Sequence, residues 1–286
     1  MTIHPLFDPS TFTITYIISD ETSGAALVID PVLDYNAASG EISHRSVNLV
    51  SAYLQVHQLT LTYILETHAH ADHLSGAQVL KNRHKAPVGI GRRITEVQEV
   101  FHPLFNLSSE VPCDGSQFDL LLGEGDELTV GDLTVKVIET PGHTPACVTY
   151  QIRDAVFTGD ALFMHDYGVG RCDFPRGSAE MLYDSVHDKL YNLPDETRVF
   201  VGHDYQPKGR ELLYETTIGA SKRANPQLRA DTTRVDFIEM RERRDETLNT
   251  PKLLYPSLQV NIRAGHLPEE DQRGGRALVI PLSGET

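Results

Sequence analysis

Apolar and polar positions along this chain fall into blocks whose period switches between about two and about 3.6 residues. Phe12 to Ser19 (FTITYIIS) and Ala25 to Asp30 (AALVID) are β-rich runs parted by Asp20-Glu21-Thr22-Ser23-Gly24, which is turn chemistry, so the pair predicts a hairpin. A loop through Ala37-Ala38-Ser39-Gly40 leads to a predicted helix, Ser43 to His57, with Val47, Val50 and Leu54 along one stripe. The apolar run Leu61 to Leu65 predicts a buried strand, and Leu74 to Leu80 a helix. Pro87 to Ile90 reads as a short strand and Arg92 to Phe105 as a helix whose end Pro103 weakens.

Two further strands, Glu127 to Val130 and Leu133 to Glu139, are joined by Gly131-Asp132, a tight-turn signal. Cys147 to Ile152 and Ala155 to Thr158 make another hairpin across Arg153-Asp154. Ser178 to Leu190 has a helical period, and Arg198 to Val201 returns to strand. After about residue 205 strands stop, and helices near Gly209 to Ala220 and Asp231 to Leu248 precede an irregular, proline-bearing tail. Strands lead each half, with helices between and after them. The pattern predicts a layered α/β protein, two sheets sandwiched between helices. A core over 1–206 carries a C-terminal segment, 207–286, of helices and tail packed on it.

The candidate chemistry collects where strands end. Directly after Leu61 to Leu65 comes Thr67-His68-Ala69-His70-Ala71-Asp72-His73, three imidazoles and a carboxylate in six residues. Packing gives no reason to crowd such groups there, whereas imidazole nitrogens and carboxylate oxygens are the donors that bind Zn²⁺ or Fe²⁺. Three later strands share that grammar. Val135 to Ile138 leads to Thr140-Pro141-Gly142-His143, Ala155 to Phe157 to Thr158-Gly159-Asp160, and Val199 to Val201 to Gly202-His203-Asp204-Tyr205. Strand ends in layered α/β folds converge on one rim, so four such ends in order predict one metal centre.

Composition narrows what that centre serves. The 286 residues, 40% hydrophobic and 23% charged, allow one large domain or two small ones. No apolar run approaches the roughly 20 residues of a membrane helix, and Met1 to Pro5 lacks the basic and apolar segments of a secretory signal. Cys113, Cys147 and Cys172 are odd in number and widely spaced, which predicts free thiols in a reducing cytoplasm. The net charge of -15 argues against nucleic acid as a partner. Arg241 to Arg244, interrupted by Glu242 and followed by Asp245, reads as a solvated helix face. An anionic substrate must then be held by a few well-placed cations against the global field.

The spacing HxHxDH, with His143, Asp160 and His203 in these contexts, resembles the metallo-β-lactamase superfamily, whose fold is a four-layer αβ/βα sandwich. The resemblance covers about residues 10 to 206. It implies that His68, His70 and His143 form one metal site and Asp72, His73 and His203 the other. Asp160 takes the bridging position, and Asp30 is an aspartate supporting the metal loop from below. A narrower resemblance, carried by THAHADH, Gly170-Arg171-Cys172-Asp173-Phe174 and His203-Asp204-Tyr205, is to the persulfide dioxygenases, which oxidise glutathione persulfide with O2 and water to sulfite and glutathione. Asp160 to Gly168 and the long tail are similar to its bacterial branch called β-lactamase-like hydrolase, with His165 standing where proline is expected.

That resemblance implies one Fe²⁺ per chain on His68, His143 and Asp160, a two-histidine, one-carboxylate set that leaves about three open positions. His70, Asp72, His73 and His203 would stay off the iron, as hydrogen-bonding and water-holding neighbours. Arg171 matches the family's glutathione-binding arginine and Tyr205 a site tyrosine. Cys172 is expected to pack or to line the pocket, while Lys208 and Arg210 are exposed-helix residues that come second as substrate contacts. Cys113 and Cys147 have no site context. Two rivals stand beside this reading: a glyoxalase-II-like dinuclear thioester hydrolase, favoured by the intact second set of ligands, and a non-catalytic metal- or thiol-binding sensor. A homodimer is the assembly carried forward.

Overall fold

The computed structural model describes residues 1–107 and 111–282; residues 283–286, the end of the expected tail, lie outside it. The first half runs β1 (Thr2–Asp8), β2 (Thr13–Ser19), β3 (Ala25–Ile29), β4 (Val32–Asn36), β5 (Glu41–Ser43), α1 (Arg45–Val56), β6 (Thr60–Leu65), β7 (Leu74–Ser75), α2 (Ala77–His84), β8 (Val88–Gly91), α3 (Ile94–Leu104) and β9 (Leu120–Leu122). The second runs β10 (Glu127–Val130), β11 (Leu133–Glu139), β12 (Val148–Ile152), β13 (Ala155–Phe157), α4 (Ala179–Tyr183), β14 (Arg198–Phe200), β15 (Glu215–Thr217), α5 (Ile218–Ala224), α6 (Arg234–Asp245) and α7 (Leu254–Asn261). One six-stranded sheet has the order β1-β2-β3-β6-β8-β9 and the other β10-β11-β12-β13-β14-β15, while β5-β4-β7 form a small third sheet.

Alternation along the strands explains the layering. On β2 and β3, Ile14, Tyr16, Ile18, Leu27 and Ile29 share one core with Val135, Val137, Tyr150 and Phe157 of the opposite sheet. Ile17, Ala26 and Val28 point the other way, into a second core with α1, α2, α3 and Leu258 and Val260 of α7. Tyr16, Phe157 and Phe200 pack as an aromatic knot between the sheets, and Tyr16 Oη donates to Val201 O (2.7 Å). This is the expected mixed α/β sandwich.

Three expectations change. Leu74 and Ser75 are extended, not helical. Ser75 N–H donates to Asn261 Oδ1 (2.8 Å) and Gly76 N–H to Pro31 O (2.7 Å), so external partners claim this backbone and the helix starts only at Ala77. Most of the helix expected over Gly209 to Ala220 is likewise absent. Asp204 Oδ2 accepts from Leu213 N–H (2.8 Å), Val201 N–H donates to Tyr214 O (3.2 Å), and β15 completes the second sheet beside β14 before Thr217 caps α5. Strands therefore do not stop at 205. Finally, the tail contains α7, which tolerates Pro256 because proline in a first turn costs no internal bond.

The Arg241 to Arg244 stretch is not a uniformly solvated face. Arg241 is only 1% exposed, donating to Asp245 Oδ1 (2.5 Å) and Gln227 Oε1 (2.8 Å), while Arg243 and Arg244 face solvent. Among the described residues no helix is long and apolar enough to cross a membrane, and the three cysteines are free.

Candidate metal centre

Loops at the ends of β6, β11, β13 and β14 bring their histidines and aspartates together. Two of them need glycine. Gly159 has a positive φ of 49°, and a Cβ there would come within 2.4 Å of Thr67 Oγ1; Gly142, at φ 146°, would drive one into the Leu182 backbone. These close approaches seat the Asp160 turn against the loop from the other sheet and the His143 turn against α4. Val148 N–H donates to Thr67 O (2.9 Å) and Tyr150 Oη to Glu66 O (2.8 Å), so β12 also holds that loop.

Three groupings emerge among the described residues. The donor atoms of His68, His143 and Asp160 lie within 4.8 Å of one another, as do those of His70, Asp72 and His203 and those of Asp30, Glu66 and His70. Asp160 Oδ2 is 3.6 Å from His143 Nε2 and 3.9 Å from His68 Nε2, and its Oδ1 is 3.3 Å from His203 Nε2, which lies 3.6 Å from Asp72 Oδ2. His70 thus lies with Asp72 and His203 and not with His68 and His143, and His73 joins none of these groups.

Which nitrogen of each ring is free follows from hydrogen-bond chemistry. Arg171 O can only accept, so His143 Nδ1 (2.7 Å away) carries a proton and Nε2 is the nitrogen left for a metal. Leu74 O does the same for His73 Nδ1 (3.0 Å). At His68 the reasoning takes one more step. Thr67 Oγ1 gives its single proton to Asp30 Oδ2 (2.8 Å), so it accepts from His68 Nδ1 (2.9 Å). Burial, with His70 and His143 beside it, holds the His68 imidazole well below its usual pKa, and burial and His70 take His73 down to about 4. Both are neutral donors.

Fully buried atoms without hydrogen-bond partners include His68 Nε2, His73 Nε2, His203 Nε2 and Asp160 Oδ1. Folded proteins rarely leave such atoms bare. A cation among them would satisfy several at once, and the donor set suits Fe²⁺ or Zn²⁺.

His70 sits in a different environment. Its Nε2 is 3.0 Å from Asp30 Oδ1 and 3.4 Å from Glu66 Oε2, ion-pair distances without hydrogen-bond alignment. Burial opposes its charge, but the two carboxylates push its pKa well up. Asp30 is held below the carboxylate range despite its burial, by His70 and by bonds from Thr67 N–H (2.7 Å) and hydroxyl. Burial raises Glu66 to about 7, and Ser75 Oγ donates to its other oxygen.

Other expected site residues fare unevenly. Tyr205 stacks on His203, with ring centroids 5.6 Å apart, and packs on Tyr167 and Phe163. Cys172 is buried, its thiol pushed up by burial, in keeping with a packing role. Arg171, the match to the family's glutathione-binding arginine, is not open to a ligand. Instead its Nε and Nη2 both reach Asp173 at 2.5 Å, and Nη1 donates to Asn249 O (2.8 Å). Arg171, Asp173 and His143 line a cleft of about 120 Å³ with Phe174 and Pro251. Arg210 is no open contact either, because Asp166 and Asp204 fill its guanidinium (2.6 to 2.9 Å). Lys208 lies in a tight turn, Pro207–Gly209, instead of a helix. His165 bonds Thr216 Oγ1 (2.8 Å), tying its loop to β15.

Sequence reasoning missed the supports. Asn261 Nδ2 donates to His70 O (2.8 Å) and His73 O (2.7 Å), while its Oδ1 holds Ser75 N–H. Thr13 Oγ1 donates to Asp72 Oδ2 (3.3 Å). Of these residues and Glu66, Glu66 alone carried a signal, a charged residue closing an apolar strand beside three histidines.

The sequence pattern of the metallo-β-lactamase superfamily matches residues 12–203. The chain is 46% identical to glyoxylase B2 of Dictyostelium discoideum, over 93% of this chain and 92% of that one. It is 45% identical to the β-lactamase hydrolase-like protein of Agrobacterium fabrum, over 98% of this chain, and spans only 64% of that longer protein. Mouse mitochondrial persulfide dioxygenase ETHE1 is 33% identical over 92% of this chain and 88% of its own. The crystal structure of ETHE1 from Myxococcus xanthus superposes with a TM-score of 0.75 at 36% identity, covering 93% of this chain and all of that one. Shared sequence and shared architecture thus agree: the chain belongs to the metallo-β-lactamase superfamily and is a homologue of its persulfide dioxygenases.

Proposed function

We propose that this protein is a non-haem iron persulfide dioxygenase, with His68, His143 and Asp160 holding one ferrous ion and glutathione persulfide as the substrate. The observation that carries the reading is the close grouping of His68, His143 and Asp160, a two-histidine, one-carboxylate set whose donor atoms lie within 4.8 Å of one another. Its aspartate also reaches His203 (3.3 Å), while His70 lies beside Asp72 and His203 and against Asp30 and Glu66. Such a triad, when loaded with Fe²⁺, supplies open positions for a persulfide sulfur and for dioxygen.

The chain's own contribution is orientation and charge. Thr67 and the Arg171 carbonyl occupy the Nδ1 atoms of His68 and His143, so both Nε2 atoms face the Asp160 carboxylate. His70 has carboxylates of its own in Asp30 and Glu66. Phe163, Tyr167 and Tyr205 pack an aromatic wall beside His203. The overall reaction balances as glutathione persulfide, O2 and water giving glutathione, sulfite and two protons: the terminal sulfur is oxidised and dioxygen reduced.

A dinuclear hydrolase of glutathione thioesters is the second reading, favoured by the complete His70, Asp72, His203 group and by the glyoxylase name of a relative. Elemental analysis of protein purified without added metal, with oxygen uptake and thioester hydrolysis measured on the same sample, separates them. About one iron per chain and persulfide-dependent oxygen uptake support the dioxygenase. About two zinc per chain with thioester turnover and no oxygen uptake replaces it.

A further inference from the structure

We infer that Asp245, on α6, acts on His143 through the peptide group between Arg171 and Cys172, and so sets how strongly His143 binds a metal. The inference rests on the reading of His143 as a ligand. Its geometry is short. Asp245 Oδ2 accepts from Cys172 N–H at 2.8 Å, and Arg171 O accepts from His143 Nδ1–H at 2.7 Å. That N–H and that C=O belong to one amide. A carboxylate pulling on the N–H side of a conjugated amide shifts electron density onto its oxygen, so the carbonyl becomes a stronger acceptor for the imidazole proton. Metal-binding histidines gain ligand basicity and a fixed tautomer from the acceptor on their other nitrogen. Here a carbonyl takes that place, with a carboxylate behind it.

The placement of the charge argues for this role. Asp245 is buried and paired with Arg241, itself 1% exposed, whose other amino group donates to Gln227 Oε1. A buried ion pair is a poor device for stability, since apolar residues of similar volume usually serve as well or better. The loop backbone needs a pin at Cys172, and an amide or hydroxyl oxygen would be pin enough. A full negative charge at that point does something a neutral acceptor does not. Asp245 is therefore a positioning residue that works through a peptide bond, and it lies outside the span 12–203 that matches the superfamily pattern.

The test replaces the charge and keeps the hydrogen bond. Arg241→Gln with Asp245→Asn removes both charges while an amide oxygen still faces Cys172 N–H; Asp245→Asn alone is measured alongside, so that a folding failure in one leaves the other. Melting of the metal-free proteins reports the fold. Ferrous ion affinity, by chelator competition, should fall about tenfold or more, the usual scale for losing a ligand's outer partner. In metal-free protein with ¹⁵N-labelled histidine, the His143 Nδ1–H resonance, assigned by its loss in His143→Ala, should move upfield as its hydrogen bond weakens. An unshifted resonance with metal affinity within about twofold of the parent, in a variant that melts like the parent, overturns the inference and leaves Asp245 a mechanical pin. If His143→Ala binds iron as the parent does, the ligand reading fails instead, and the resonance alone decides the relay.

Discussion

Replacing Thr67 with valine tests the site at its most economical joint. The side chains are nearly the same shape, so the substitution removes a hydroxyl and little else. That hydroxyl donates to Asp30 Oδ2 and accepts from His68 Nδ1–H, while the Thr67 backbone still serves Asp30 Oδ1. A hydrogen bond to an ionised group contributes roughly 1.5–3 kcal/mol, and a buried donor left bare costs about 1–3 kcal/mol. Because Asp30 keeps Thr67 N–H and its neighbour His70, low values apply, and the metal-free protein should lose about 2–3 kcal/mol. The larger signature lies in metal binding. With no acceptor on Nδ1, the His68 ring loses both tautomer and orientation, and affinity should fall about 10–100-fold. Thr67→Ser restores the hydroxyl and should bind metal within about twofold of the parent. The assay is chelator competition on each protein, with denaturant unfolding of the metal-free forms. If Thr67→Val binds metal as tightly as Thr67→Ser, the hydroxyl does not orient His68 and the tautomer argument fails.

Four further outcomes are expected. Asp160→Ala should purify with little or no iron and show no persulfide-dependent oxygen uptake; full iron content would remove Asp160 from the triad. Asn261→Ala should destabilise the protein by about 2–4 kcal/mol, the low range for three neutral hydrogen bonds, and a denaturant midpoint equal to the parent's would mean the metal loop stands unaided. Asp20 accepts from Ser23 Oγ (2.6 Å) and Asp132 N–H (3.0 Å), which take its pKa down to about 2. Its folded value lies below its unfolded one, so its stabilisation is present above about pH 4 and fades as pH falls toward the folded value. The stability gap between parent and Asp20→Asn should narrow on acidification, and a constant gap contradicts this. Asp173→Asn should free the Arg171 guanidinium for a substrate carboxylate and lower KM severalfold at steady kcat; an unchanged KM leaves Arg171 with its carbonyl as its contribution.

The sheets and the candidate ligands are readable in the sequence for one reason: both are written in neighbouring residues. A strand such as Leu61–Leu65 announces itself by period, and THAHADH, Gly142-His143 and Gly159-Asp160 follow their strands directly. What stayed hidden was written across distance. Asn261 meets His70 O from 191 positions away, and Asp245 meets Cys172 from 73. Neither has a local pattern. Arg241 looked solvated because charge runs usually are, yet its partners Gln227 and Asp245 bury it. The extended stretch before α5 reversed a helix expectation because Asp204 and β14 claim its backbone, a tertiary demand that local preference does not contain. Arg171 looked like an available anchor because its loop is flanked by glycine, yet Asp173, two residues on, already occupies its fork.

The last quarter of the chain changes what counts as the smallest working piece. β15 closes a sheet, Asp245 grips the Arg171–Cys172 peptide, and Asn261 clasps the loop that bears three histidines. Cutting after Tyr205 would keep every candidate ligand and discard the hands that hold them. The smallest piece expected to keep an intact site is then the span that reaches through α7, and the similarity to the longer Agrobacterium relative likewise runs through 98% of this chain.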